Sequence, residues 1–108
     1  MAPTNRPLPV RFAPLAADDL EVAFAYVDDR DRAAALSLLG KLEDATCRLG
    51  EFPEMGAPLS ADQFEFIAPG VRFVAVEPYT LFYRSHADAI VVLRILHSRR
   101  DALGALFE

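Results

Sequence analysis

Read for the spacing of its apolar and polar positions, the chain divides into a helical first half and a strand-rich second half. Leu20, Ala23, Phe24 and Val27 recur at steps of three, one and three, the pattern of one helix face, and Glu21 stands three residues after Asp18 in capping-box fashion. This predicts a first helix that ends near residues 28–30. Ala35, Leu38, Leu42, Ala45 and Leu49 continue with the same period, and Gly50 and Pro53 supply a stop, so a second helix follows. The acidic corner at residues 28–31 leaves room only for a tight connection, which predicts an antiparallel helical hairpin. A short strand at 10–13 precedes it, and residues 1–9, with three prolines and no periodicity, read as an extended tail.

Pro53, Gly56, Pro58, Pro69 and Gly70 crowd the stretch 51–70 and mark it as a surface connection. Beyond it, residues 71–76, 79–84 and 89–96 are β-branched and aromatic runs separated by short turn-forming links, so they predict an antiparallel meander. The third run is almost continuously apolar, as expected of a central strand covered on both faces. Ala102, Leu103, Leu106 and Phe107 then fit a short final helix. The predicted fold is α+β in the order β-α-α-β-β-β, a two-helix hairpin packed on an antiparallel sheet, with a C-terminal helix. At 108 residues it constitutes one domain.

Composition narrows the class. With 53% hydrophobic and 25% charged residues the chain is too apolar for long disorder. No apolar run approaches the 18 residues of a membrane span, the N-terminus has no secretory pattern, and a lone Cys47 excludes an internal disulfide. The expected compartment is the cytoplasm, with no membrane partner. The net charge of −5 argues against a protein built to grip nucleic acid directly. That charge is uneven: residues 15–65 hold twelve acids against four Lys/Arg, while residues 71–101 hold five arginines against three acids.

Those arginines are the candidate recognition residues. Strict alternation puts Arg72 with Val74 and Val76, Arg84 with Thr80 and Phe82, and Arg94 with Val92 and Leu96, so each interrupts an apolar face and calls for an anion or a carboxylate partner. With Arg99 and Arg100 they suggest a basic surface along the open side of the sheet, Asp101 being the nearest acid for pairing or for capping the last helix. His97 closes the third strand and has the pKa range of a general acid or base, but no nucleophile is spaced beside it. Cys47 reads as an inert, partly buried thiol near the second helix's apolar stripe. His86, His97 and Cys47 lack zinc-ligand spacing, there is no glycine-rich phosphate loop, and neither a metal nor a cofactor is implied.

The ordered set of Asp19-Leu20, Tyr26-Val27, an alanine-rich second helix, L-x3-P-x2-G at 49–56, GVR at 70–72, YTLFYR at 79–84 and VVLRILHSRRD at 91–101 resembles the ParE branch of the ParE/RelE toxin superfamily over about residues 10–103. The resemblance implies a helical hairpin on an antiparallel sheet and a role as the toxin of a type II toxin–antitoxin pair. The ParE branch is associated with inhibition of DNA gyrase, and the RelE branch with ribosome-dependent mRNA cleavage. Arg72, Arg84 and His97 match positions that would serve the second activity. However, no Tyr follows His97, Lys41 is the single lysine, and the chain is acidic, which favours a toxin that binds a protein target without chemistry. The resemblance further implies a ribbon-helix-helix, ParD-like antitoxin, laid over apolar surface at Leu20, Phe24, Phe82 and Leu106. A non-toxic antitoxin-binding module is a third reading.

Overall fold

The computed structural model describes residues 6–59 and 70–98. Its elements run β1 (Val10–Phe12), α1 (Pro14–Asp28), α2 (Arg32–Glu51), β2 (Ala57–Pro58), β3 (Val71–Val76), β4 (Tyr79–Ser85) and β5 (Ile90–His97). They build one five-stranded sheet in the order β1-β5-β4-β3-β2. The meander β3-β4-β5 is antiparallel as predicted, while β1 joins β5 in parallel, Val10 opposite Ile90 and Phe12 opposite Val92. The third apolar run is therefore an interior strand, between β1 and β4. The predicted C-terminal helix lies outside the described residues.

α1 starts five residues earlier than the capping pattern at Asp18 predicts, with Ala13 in the N-cap position. Pro14 occupies the first turn, where its fixed φ suits the helix and its missing N–H is no loss, and no side chain caps the end. Ala13, extended at φ −64° and ψ 156°, donates its amide to the Val92 carbonyl at 2.9 Å and so ties the helix start to β5. The acidic corner behaves as expected. Asp31 caps α2 by accepting from the Ala34 amide at 3.1 Å, a contact of about 1 kcal/mol.

Both helices pack on one face of the sheet. Ala16 and Ala23 of α1 and Leu38, Leu42 and Leu49 of α2 are buried against Val76, Tyr79, Leu81, Tyr83, Ile90, Val92 and Ile95. The small alanines let α1 lie close to β5, and each buried leucine contributes about 2 kcal/mol. A second cluster, Val71, Phe82 and Leu96 with Leu59, Phe73 and Leu93, occupies the opposite face. The end of the predicted tail is anchored: Leu8 donates to the Gly50 carbonyl and Pro9 accepts from the Ile90 amide, both at 2.9 Å. Within the predicted 51–70 connection, β2 pairs with β3 through Ala57–Phe73 and Pro58–Arg72. No described helix is long and apolar enough to cross a membrane.

Candidate functional site: arginines divided between two sheet faces

A bulge decides where the arginines go. The β4–β5 register runs Phe82 opposite Arg94 and then Tyr83 opposite Val92, leaving Leu93 as the extra residue. Val92 therefore faces the helices and Leu96 the opposite cluster. Strict alternation had put both on one face with Arg94, and the bulge overturns that grouping. Arg94 is instead engaged at the edge of β5, where β1 has already ended. The Asp19 carboxylate accepts from Arg94 Nε at 2.8 Å and Nη2 at 3.0 Å, and from the Ile95 amide at 3.0 Å. The Asp19 and Arg94 side chains are only 15% and 24% exposed, so this partner reduces the arginine's availability to a ligand.

Arg72 and Arg84 occupy opposite faces. Arg72 sits across from Tyr83, on the helix-packed side, and its Nη1 donates to the Gly56 carbonyl at 2.7 Å and the Glu54 carbonyl at 3.4 Å. Arg84 sits across from Val71, on the side of the second cluster. The arginine-lined sheet edge expected from the sequence is thus not formed by Arg72, Arg84 and Arg94 together. Arg99, Arg100 and Asp101 lie outside the described residues.

His97 packs edge-to-face on Tyr79, its cross-strand neighbour, with ring centroids 5.5 Å apart. Its chain neighbour Ser98 bonds to Thr80 at 2.9 Å across the opposite face, so the hydroxyl is turned away from the imidazole. His97 and Arg72 share a face but lie opposite Tyr79 and Tyr83, four residues apart on β4, or about 13 Å along the strand. Arg72, Arg84 and His97 do not converge on one phosphate-sized point. No group of three metal-ligating side chains occurs among the described residues.

Sequence reasoning missed Tyr83, the buried centre of the Arg72 side. Its hydroxyl donates to the Pro53 carbonyl at 2.8 Å and accepts from the Gly56 amide at 2.9 Å. Burial pushes its pKa above the ordinary 10.0, outweighing the Gly56 bond and the Arg72 charge, which pull it down, while Glu54 adds to the rise. The L-x3-P-x2-G pattern owes its form to this contact. Leu49 is core, Pro53 supplies the acceptor, and a Cβ on Gly56 would stand 2.7 Å from the Tyr83 ring and 2.8 Å from the Phe73 carbonyl oxygen.

The exposed apolar surface is also displaced from its expected place. Leu20 packs on the core, Phe82 is buried and Phe24 is half-buried, whereas Leu15, Val22 and Tyr26 stand out from α1 at 57%, 70% and 45% exposure. At about 100° per residue these three form a stripe a quarter-turn from the core stripe, with Asp18 and Asp29 along its outer side. The sequence signal was present, since a helix apolar on two adjacent faces has more than a core to cover. Arg30 lies over the Tyr26 ring, 3.8 Å from its centroid. Cys47 is exposed rather than partly buried.

Residues 10–102 match the family described as the ParE toxin of the type II toxin–antitoxin system parDE. Toxin ParE3 of Caulobacter vibrioides is 28% identical over 97 residues, covering 90% of this chain and 92% of that protein. The structure of the chromosomal ParDE toxin–antitoxin system of P. aeruginosa superposes with a TM-score of 0.66 at 22% identity, covering 83% of this chain and 95% of the other. The toxin–antitoxin complex RelBE2 of Mycobacterium tuberculosis gives 0.59 at 23% identity, with 89% and 97% covered. These superpositions agree in fold with the strand, hairpin and sheet described above.

Proposed function

The chain belongs to the ParE family of type II toxins, and from that premise we propose that it arrests growth by binding and poisoning DNA gyrase in the cytoplasm, performing no chemistry of its own. The observation that supports this reading over mRNA cleavage is the separation of the cations. Cleaving a phosphodiester needs an acid, a base and a stabilising cation around one phosphorus. Here Arg72 is hydrogen-bonded to backbone carbonyls, Arg84 is on the other face, Arg94 is paired with Asp19, and His97 is stacked on Tyr79. Recognition of the target through Arg84, His97, Arg99 and Arg100 is part of the proposal.

The antitoxin is a ribbon-helix-helix, ParD-like protein that covers the Leu15, Val22 and Tyr26 stripe with an apolar face. Basic residues on it answer Asp18 and Asp29, because burying those carboxylates unpaired would cost several kcal/mol. Purified toxin tests the target directly, in gyrase supercoiling and cleavage-complex assays beside translation-coupled mRNA cleavage. Gyrase inhibition with intact mRNA is expected. Cut mRNA with unaffected gyrase would establish the RelE-type activity instead, and growth unchanged by expression without antitoxin would leave only an antitoxin-binding module.

A further inference from the structure

β5 is longer than the strand that borders it. β1 pairs with Ile90, Val91 and Val92, and the Ala13 amide on the Val92 carbonyl closes that pairing before the chain turns into α1. Further along, Ser98 donates its amide to the Pro78 carbonyl, on the β4 side. By alternation Leu96 points its backbone groups the same way, and Ile95 points its own to the side that β1 has left. An edge of this kind is a template for a further strand. Here the Ile95 amide is taken at 3.0 Å by the Asp19 carboxylate, which also holds Arg94 Nε at 2.8 Å.

Asp19 is at the same time the polar member of an apolar row. Leu15, Asp19, Val22 and Tyr26 follow one another along α1 at steps of four, three and four, so they line one side of the helix. Leu15, Val22 and Tyr26 are exposed, while Asp19 reaches down to β5. The row and the strand edge therefore form one surface with the Asp19–Arg94 pair at its centre. Such a surface is complementary to itself, because two antiparallel strands related by a twofold axis pair through the same residues on each copy, and the apolar rows then meet beside them. The carboxylate opposes this. A second copy would have to displace it from the Ile95 amide and bury its charge.

We propose that Asp19 is an edge guard that keeps the free toxin monomeric by denying the β5 edge to a second copy of this chain. Arg94 is the positioning residue that holds the carboxylate over the strand, and the bond to the Ile95 amide closes the edge. Without the guard, two copies meet antiparallel at Ile95, and Leu15, Val22 and Tyr26 of each cover those of the other. One polar residue in an apolar row thus decides which partners the surface accepts. This holds whichever target the toxin acts on.

The test compares full-length D19A with R94A. Both break the ion pair, but D19A alone uncovers the Ile95 amide, so loss of stability is common to the two variants and opening of the edge is not. Light scattering behind size exclusion is run across a dilution series. Hydrogen exchange is read at the Ile95 amide, and near-UV circular dichroism follows the packing of the core. Wild type and R94A are expected to keep the monomer mass throughout, while D19A approaches twice that mass as concentration rises. When dilute, its Ile95 amide should exchange about tenfold or more faster than in the wild type, and when concentrated it should be protected again. D19A that stays monomeric at every concentration overturns the inference, as does equal association of R94A. A D19A dimer whose Ile95 amide remains unprotected, or association that accompanies loss of the near-UV signal, overturns it as well.

Discussion

Replacing Asp19 by Ala tests whether Arg94 is held for structure or presented for recognition. The carboxylate takes two guanidinium bonds at 2.8 and 3.0 Å and the Ile95 amide at 3.0 Å. D19A therefore strips the carboxylate from a cation three-quarters buried and uncovers an amide on the edge of β5 beyond the end of its pairing with β1. Breaking a fully buried pair costs about 3–5 kcal/mol, and the remaining exposure of both groups screens part of that, so a loss of about 2–3 kcal/mol is expected. D19N keeps one oxygen for the Ile95 amide but loses the charge and turns an NH2 toward Arg94 Nη2 in place of an acceptor, for about 1–2 kcal/mol. Urea unfolding followed by circular dichroism, with m unchanged between variants, reads these differences. The cycle of D19A, R94A and the double variant should return a coupling of about 1–3 kcal/mol. A coupling near zero, with R94A fully stable but unable to act on gyrase, would refute the structural assignment and return Arg94 to the target surface.

Gly40 lies inside α2, and a Cβ there meets nothing within 4 Å; G40A should therefore stabilise the fold by about 0.5–1 kcal/mol, a rise of several degrees in thermal midpoint, and a fall would show that the backbone at Gly40 is needed bare. Y83F leaves the buried Gly56 amide unpaired and should cost about 1–3 kcal/mol at neutral pH. Because burial raises the Tyr83 pKa, its contribution is fully present below the unfolded value of about 10 and is lost as pH rises through the folded value. Unfolding titrations from pH 8 to 11 should thus show the wild type losing more stability than Y83F, and parallel profiles would contradict the buried-phenol account.

Periodicity carried most of the fold because each helix buries one stripe and the meander strands, apolar on both faces, are unbroken β-branched and aromatic runs. The 3.6-residue rows of α2 and the β-branched runs of β3–β5 were legible for that reason. The departures each have a local cause. Asp18-x-x-Glu21 has the form of a capping box, yet Pro14 and the Ala13–Val92 bond start α1 five residues earlier. β2 is two residues long with a proline, too short to leave a pattern. One extra residue in β5 shifts side chains between faces, so alternation grouped Arg94 with both Val92 and Leu96. The Asp19–Arg94 and Tyr83–Pro53 contacts span 75 and 30 positions, and no local spacing rule reaches that far.

The growth arrest proposed for this toxin comes from binding gyrase and not from cutting RNA. A gyrase cleavage-complex assay with purified toxin, run with and without equimolar antitoxin, separates the two. Accumulation of cleaved DNA with toxin alone and its abolition by antitoxin is the predicted result. Unchanged gyrase activity, with toxin-dependent cleavage of mRNA in a parallel translation reaction, would contradict it.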